Sequence, residues 1–180
     1  MSANHAAFNL IFRFVENYVS PIAGRISSQR HVMAIRDGFI SAMPFMIVGS
    51  FLLVFAYPPF SPDTTWGFAR AWLDMAKQFE GQILTPFDMT MGVMSLYICA
   101  AIAYNLGKHY VKTHQLDPFM CAMMSLMAFL LVAAPKTKGA LPVDSLGGTG
   151  IFTAILVAIY CVEMMRFLKA HNIGIRLPDQ

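Results

Sequence analysis

Gly38–Tyr57 reads GFISAMPFMIVGSFLLVFAY, twenty consecutive residues without a charged side chain. A helix needs about 20 apolar residues, rising about 1.5 Å each, to cross a hydrocarbon core of about 30 Å. In hydrocarbon it also satisfies its own backbone polar groups. The stretch is therefore predicted to span a membrane. Pro44 removes a backbone donor and should bend the helix, Gly49 gives room for close packing, and Pro58-Pro59 closes the span.

The whole chain carries the same signal. Of its 180 residues, 57% are hydrophobic and 13% are charged, with a mean hydropathy of +0.55. A soluble domain has about 25% charged residues, so half the usual charge is missing. The net charge is only +3 with no basic block, which gives no sign of a nucleic-acid partner. Cys99, Cys121 and Cys161 lie inside apolar runs without Cys-x-x-Cys spacing, and they read as small buried hydrophobes, not zinc or redox ligands.

Upstream of the first span, residues 5–22 form an amphipathic pattern. Phe8, Ile11, Phe12, Val15, Val19 and Ile22 recur at helical steps opposite Asn9, Arg13, Asn17 and Ser20, with Pro21 and Gly24 expected to end the helix. Its polar face suits the membrane surface or the side of a bundle. Polar residues interrupt the first 24 positions, so they do not resemble a cleaved signal peptide.

Downstream, three further spans are expected at 86–107, 117–135 and 150–168. Between the first and second, Trp66–Leu84 has an apolar stripe (Trp66, Ala69, Trp72, Leu73, Ala76, Phe79, Ile83) opposite Arg70, Asp74, Lys77 and Glu80. It contains both tryptophans and reads as an interfacial helix at headgroup level; a helix packed on protein loops is the alternative. The expected fold is all-α: a polytopic helical membrane protein with about four transmembrane helices plus amphipathic interfacial helices. It divides into a cytoplasmic segment 1–37, a transmembrane scaffold 38–168 and a cytoplasmic tail 169–180. Nine of the thirteen Lys and Arg residues, and all five histidines, fall on the side of the two termini. The positive-inside rule puts both termini in the cytoplasm.

Two ladders of small residues recur every four positions: Ser95, Cys99, Ala103 and Gly107 on the second span, and Gly150, Ala154 and Ala158 on the fourth. Such faces let helix backbones approach closely, either within the bundle or across a dimer or domain interface. Glu163 and Arg166 stand three apart near the cytoplasmic end of the fourth span. An i,i+3 pair with snorkelling makes them an interfacial anchor ahead of a chemical site. Asp88 and Asp117 sit beside prolines and suit helix capping. His109 and His114 are five apart and share no helix face, so no metal site is expected. No catalytic motif is present and no cofactor is implied. The glycine- and proline-rich connection Pro135–Thr149 is expected to be exposed or to fold back over the bundle, using Gly147 and Gly148 for tight turns.

Two stretches carry a resemblance. LGGTGIFTAILVAIYCVEMMRFLKAHNIGIRLPD (146–179) resembles the end of the N-terminal half of the membrane C component of a sugar phosphotransferase system permease, of the lactose/cellobiose/diacetylchitobiose type. HVMAIRDGFISAMPFMIVGSFLLV (31–54) is similar to that family's entry into its first span. The resemblance covers about residues 10 to 179. It implies a multi-pass protein of the bacterial inner membrane that translocates a β-linked disaccharide such as cellobiose as a dimer. The sugar is presented inside to a B component, which phosphorylates it from a phosphocysteine in a chain starting at phosphoenolpyruvate. The implied partners are membrane lipid, a second copy or a full-length C component, and the cytoplasmic B component. In the family the sugar-contacting histidine and glutamate lie in the C-terminal half, and no position here matches those motifs, so Glu163 is not assigned that role. The expectation is an incomplete permease without its sugar-binding half, with an oligosaccharide as substrate only if completed. The alternative is a small helical membrane protein acting structurally through association with full permease subunits.

Overall fold

The computed structural model describes Arg13, residues 15–133, residues 145–171 and Ile173. Positions 1–12, most of the 135–149 connection and nearly all of the tail beyond 171 lie outside the described residues, and with them parts of the expected 5–22 helix, 117–135 span and 169–180 tail.

A π-helical turn, Val15–Val19, leads into α1 (Ser20–Ser27). The expected stop at Pro21 and Gly24 does not occur: the helix runs through both to Ser27. The other helices are α2 (Arg30–Ala56), α3 (Gly67–Thr90), α4 (Met94–His114), α5 (Pro118–Ala133) and α6 (Ile151–Ala170), the last preceded by a 3₁₀ turn at Gly148–Gly150. Three helical stretches, Arg30–Ala56, Gly67–His114 and Gly148–Ala170, are long and apolar enough to cross a membrane; Pro118–Ala133 is apolar but shorter. The protein is a multi-pass helical membrane protein.

Two boundaries differ from expectation. The first span belongs to a 27-residue helix that starts eight residues earlier and runs through Pro44. The segment 86–107, read above as one span, is divided: α3 continues through Pro86 to Thr90, the chain turns at Met91–Val93, and α4 begins at Met94. The reason is tertiary. The Leu146 carbonyl accepts the Ser95 N–H at 3.0 Å and also the Ser95 hydroxyl, so the start of α4 is bonded across to the chain entering α6. Gly147 sits close to the Gly92 carbonyl, and a Cβ on it would be 3.3 Å from that oxygen. The described part of the 135–149 connection thus folds back onto the bundle.

α4 is the centre, packed against α2, α5 and α6. Gly38 lies on Ile102, where a Cβ would collide with that side chain and stand 3.0 Å from its backbone nitrogen. Phe45 stacks on Tyr97 with ring centroids 4.5 Å apart. These pairs run α2 and α4 antiparallel. A Cβ on Gly107 would be 3.1 Å from Pro118 Cα, and Cys99 Sγ lies 3.6 Å from the Ser125 carbonyl, so α5 returns antiparallel along α4. α6 runs parallel to α4, from Gly150 beside Ser95 to Glu163 beside Tyr110.

α3 takes another course. Its Trp72 ring meets Phe55, while Thr90 lies against Gly49. It packs on α2 through Ala69 and Ala76, both buried, and Trp72 Nε1 donates to the Phe55 carbonyl at 3.3 Å.

Helix ends follow local chemistry. Asp117 Oδ1 accepts the Phe119 N–H at 2.9 Å, capping α5 with Pro118 at its first position. Asp88 is not a cap, since it lies exposed inside α3. α4 ends on Gln115 in the left-handed region, at φ 50 and ψ 38.

Candidate functional site

The densest set of polar side chains lies where the first turn of α2 and the last turns of α4 and α6 converge. α6 supplies Glu163 and Arg166, α4 supplies Tyr110, and α2 supplies Arg30 and His31. Glu163 Oε1 accepts the Tyr110 hydroxyl at 2.6 Å and His31 Nε2–H at 2.9 Å. Its Oε2 accepts Arg166 Nη2–H at 2.8 Å. One carboxylate therefore receives donors from three helices.

The local sequence explains the convergence. Tyr110 follows Ser95, Cys99, Ala103 and Gly107 on α4, is buried itself, and brings only its hydroxyl to the carboxylate. Arg166 is one turn beyond Glu163 on the same face. His31 enters because α2 starts at Arg30 instead of Gly38, which carries its first turn down beside the end of α4. Guanidinium groups flank the Tyr110 ring, Arg166 Cζ at 5.1 Å and Arg30 Cζ at 5.6 Å from its centroid, in the range of cation–π attraction. His114 meets the same ring edge-on at 5.7 Å. Lys169 Nζ donates to the Gln115 carbonyl at 2.8 Å, fixing the left-handed end of α4 to α6.

The arrangement holds three helix ends in register. Both carboxylate oxygens of Glu163 are occupied by donors, so the group is a buttressed acceptor, not a free acid or base. The expected Glu163–Arg166 pair is present as an i,i+3 contact. Sequence reasoning missed Tyr110 and His31. A tyrosine one turn beyond the small-residue ladder, within the basic flank of α4, was the available signal for the first.

The two ladders lie elsewhere, inside the bundle of this one chain. Ser95, Cys99, Ala103, Gly107, Gly150, Ala154 and Ala158 are all buried. Gly107 and Cys99 face α5, and Ser95 and Gly150 face each other, where a Cβ on Gly150 would be 2.9 Å from Ser95 Oγ. They are packing surfaces and do not join the polar cluster. At the far end of α2, Ala56, Tyr57, Pro58, Leu73, Ala76, Lys77 and Glu80 line an open cleft, across which the Tyr57 hydroxyl donates to Glu80 Oε1 at 3.2 Å.

This architecture and this sequence have known counterparts. Residues 36–180 match the family model described as phosphotransferase system, EIIC. The chain is 34% identical over 183 residues to the PTS system cellobiose-specific EIIC component of Geobacillus stearothermophilus, covering 93% of this chain and 38% of that protein. It is 30% identical over 165 residues to the PTS system lactose-specific EIICB component of Streptococcus mutans serotype c, covering 89% of this chain and 28% of that protein. Its fold is similar to the crystal structure of the transporter ChbC, the IIC component from the N,N'-diacetylchitobiose-specific phosphotransferase system. That match has a TM-score of 0.75 at 33% identity and covers 93% of this chain and 40% of that one. The chain spans about two fifths, or less, of the length of each relative.

Proposed function

The chain belongs to the EIIC family of the phosphotransferase system, and from that premise we propose that it forms the scaffold part of a sugar permease. In this reading the permease carries a β-linked disaccharide such as cellobiose across the inner membrane and presents it to a cytoplasmic B component. The observation that carries the reading is the family match over 36–180, a range that includes α3 to α6 and most of α2. The cellobiose- and diacetylchitobiose-specific names of the relatives support the substrate class, and the lactose relative, whose name joins B and C components, supports the partner.

The scaffold role is supported by where the polar side chains are spent. Ser95 is bonded to the chain entering α6, and Glu163 is bonded to three donors. Segments 1–37 and 169–180 lie on the cytoplasmic side in this proposal, and 38–168 forms the membrane scaffold, associating with a second copy or with a full-length C component. The broad apolar faces of α2 and α5, with Phe51 63% and Met127 61% exposed, suit lipid or such a partner.

The test is uptake of radiolabelled cellobiose in cells lacking their own β-glucoside permeases. Expression of the 180 residues alone should give background uptake. Uptake at the level of a full-length EIIC control would sink the scaffold reading.

A further inference from the structure

One face of α3 is polar along most of its length. Arg70, Asp74, Lys77, Gly81, Thr85 and Asp88 follow one another at steps of three and four residues, so they form a single stripe with Asp88 in line with Arg70. All six are exposed. The side that packs on α2, with Ala69 and Ala76 buried, lies across the helix. A charged face suits a helix at headgroup level, but the far end of this stripe is deeper than that. Thr90 and Met91 lie against Gly49, and the Met89 carbonyl accepts the hydroxyl of Tyr97, whose ring stacks on Phe45. Phe45 and Gly49 belong to the charge-free run Gly38–Tyr57, each at least about 10 Å from its nearer end. Asp88 thus holds a carboxylate near the middle of the hydrocarbon, and among the described residues no cation pairs with it. A carboxylate at that depth faces water or protein, not lipid.

We propose that the stripe is one wall of a water-filled path, and that Asp88 accepts hydroxyl groups of a neutral oligosaccharide passing along it. The inference rests on the permease reading above. Charge selects the class of solute: Arg70 and Lys77 are offset by Asp74 and Asp88, so the stripe offers donors and acceptors without a net charge to hold an ion. Neighbouring hydroxyls of one pyranose can donate to the two oxygens of a single carboxylate. Gly81 has nothing within 4 Å of where its Cβ would be, which leaves room for a sugar ring between Lys77 and Asp88. A second copy of this chain does not supply a cation for Asp88 at that depth. Gly38–Tyr57, Met94–Gly107, Pro118–Ala133 and Ile151–Val162 are all charge-free.

The experiment uses the full chain in liposomes, with Cys99, Cys121 and Cys161 replaced by alanine and one cysteine introduced by Gly81→Cys, Thr85→Cys, Asp88→Cys or Met89→Cys. Met89 is 63% exposed and is the lipid-facing control, beside Asp88 in depth but about a quarter of a turn round the helix. A water-soluble maleimide should label the three stripe positions at least about tenfold faster than Met89→Cys. Excess cellobiose should slow labelling of Thr85→Cys about threefold. Adding Asp88→Asn should abolish that protection, and Asp88→Glu should keep it, with the sugar-free rate unchanged in both. Equal labelling of the stripe and Met89→Cys would overturn the proposal, as would protection that survives Asp88→Asn. So would the absence of protection by cellobiose, lactose and maltose alike, or a stripe closed to the reagent and cross-linked between chains through Asp88→Cys. Protection by α-linked maltose and not by cellobiose would uphold the contact at Asp88 and overturn the β-linked substrate class instead.

Discussion

Glu163 shows how one side chain can serve three helices. Its bonds to Tyr110 and His31 reach across to α4 and α2, while the bond to Arg166 stays within α6. These contributions are unequal. The Arg166 side chain is 40% exposed, so that pair is screened and worth little. The 2.6 Å bond from the buried Tyr110 is the more valuable, because losing one partner leaves the other unsatisfied. Tyr110→Phe keeps the ring under its two guanidiniums and should cost about 1 kcal/mol, and Glu163→Gln about 1–3 kcal/mol. The double variant should cost less than the sum of the two, with a coupling of about 0.5–1.5 kcal/mol in a detergent unfolding titration. Strict additivity would mean that the bond contributes nothing. The i,i+3 spacing made Glu163 and Arg166 legible in the sequence as a pair. Tyr110 and His31 lie 53 and 132 residues from Glu163, and no local pattern reports a contact over such separations.

At the scale of elements, glycines mark where helices touch and where they do not. Gly38 faces Ile102 at a distance that admits no side chain, whereas Gly81, in the middle of α3, has nothing within 4 Å of where its Cβ would be. The same substitution should therefore have opposite signs at the two sites. Gly38→Ala must push α2 away from α4 and should cost about 1–3 kcal/mol. Gly81→Ala removes only unwanted backbone freedom and should gain about 0.5–1 kcal/mol. Thermal unfolding of the two variants side by side checks the packing of both helices, and a stabilised Gly38→Ala protein would contradict it. The helices themselves were readable from charge-free runs and apolar stripes. The division of 86–107 was not, since no charged side chain interrupts Met89 to Leu106, while Ser95, just beyond the turn at Met91–Val93, is bonded to a carbonyl far along the chain. Asp88 misled locally: a proline two residues before an aspartate at the edge of an apolar run looks like a helix start, yet α3 runs through both.

For the whole molecule, the family was legible because two long stretches carry it, and the all-α membrane class because the charge is so sparse. Orientation is a proposal from the distribution of cations: by the positive-inside rule the Arg30–Lys112–Arg166 end is expected to face the cytoplasm. In a background with Cys99, Cys121 and Cys161 replaced by alanine, a cysteine at Arg70 should react with a membrane-impermeant maleimide in intact spheroplasts. One at Lys112 should react only after permeabilisation, and the reverse pattern would invert the topology. The central position of α4 also bears on how the protein is made. Helices leave the ribosome in order, and α2 is already available when α4 emerges, so the Gly38–Ile102 contact can form at once. The carbonyl that receives Ser95 lies 51 residues further on, and the carboxylate that receives Tyr110 lies 53 residues further on. Both ends of α4 therefore wait for α6 and the chain that enters it, and the nascent bundle stays open on one side until they have been synthesised.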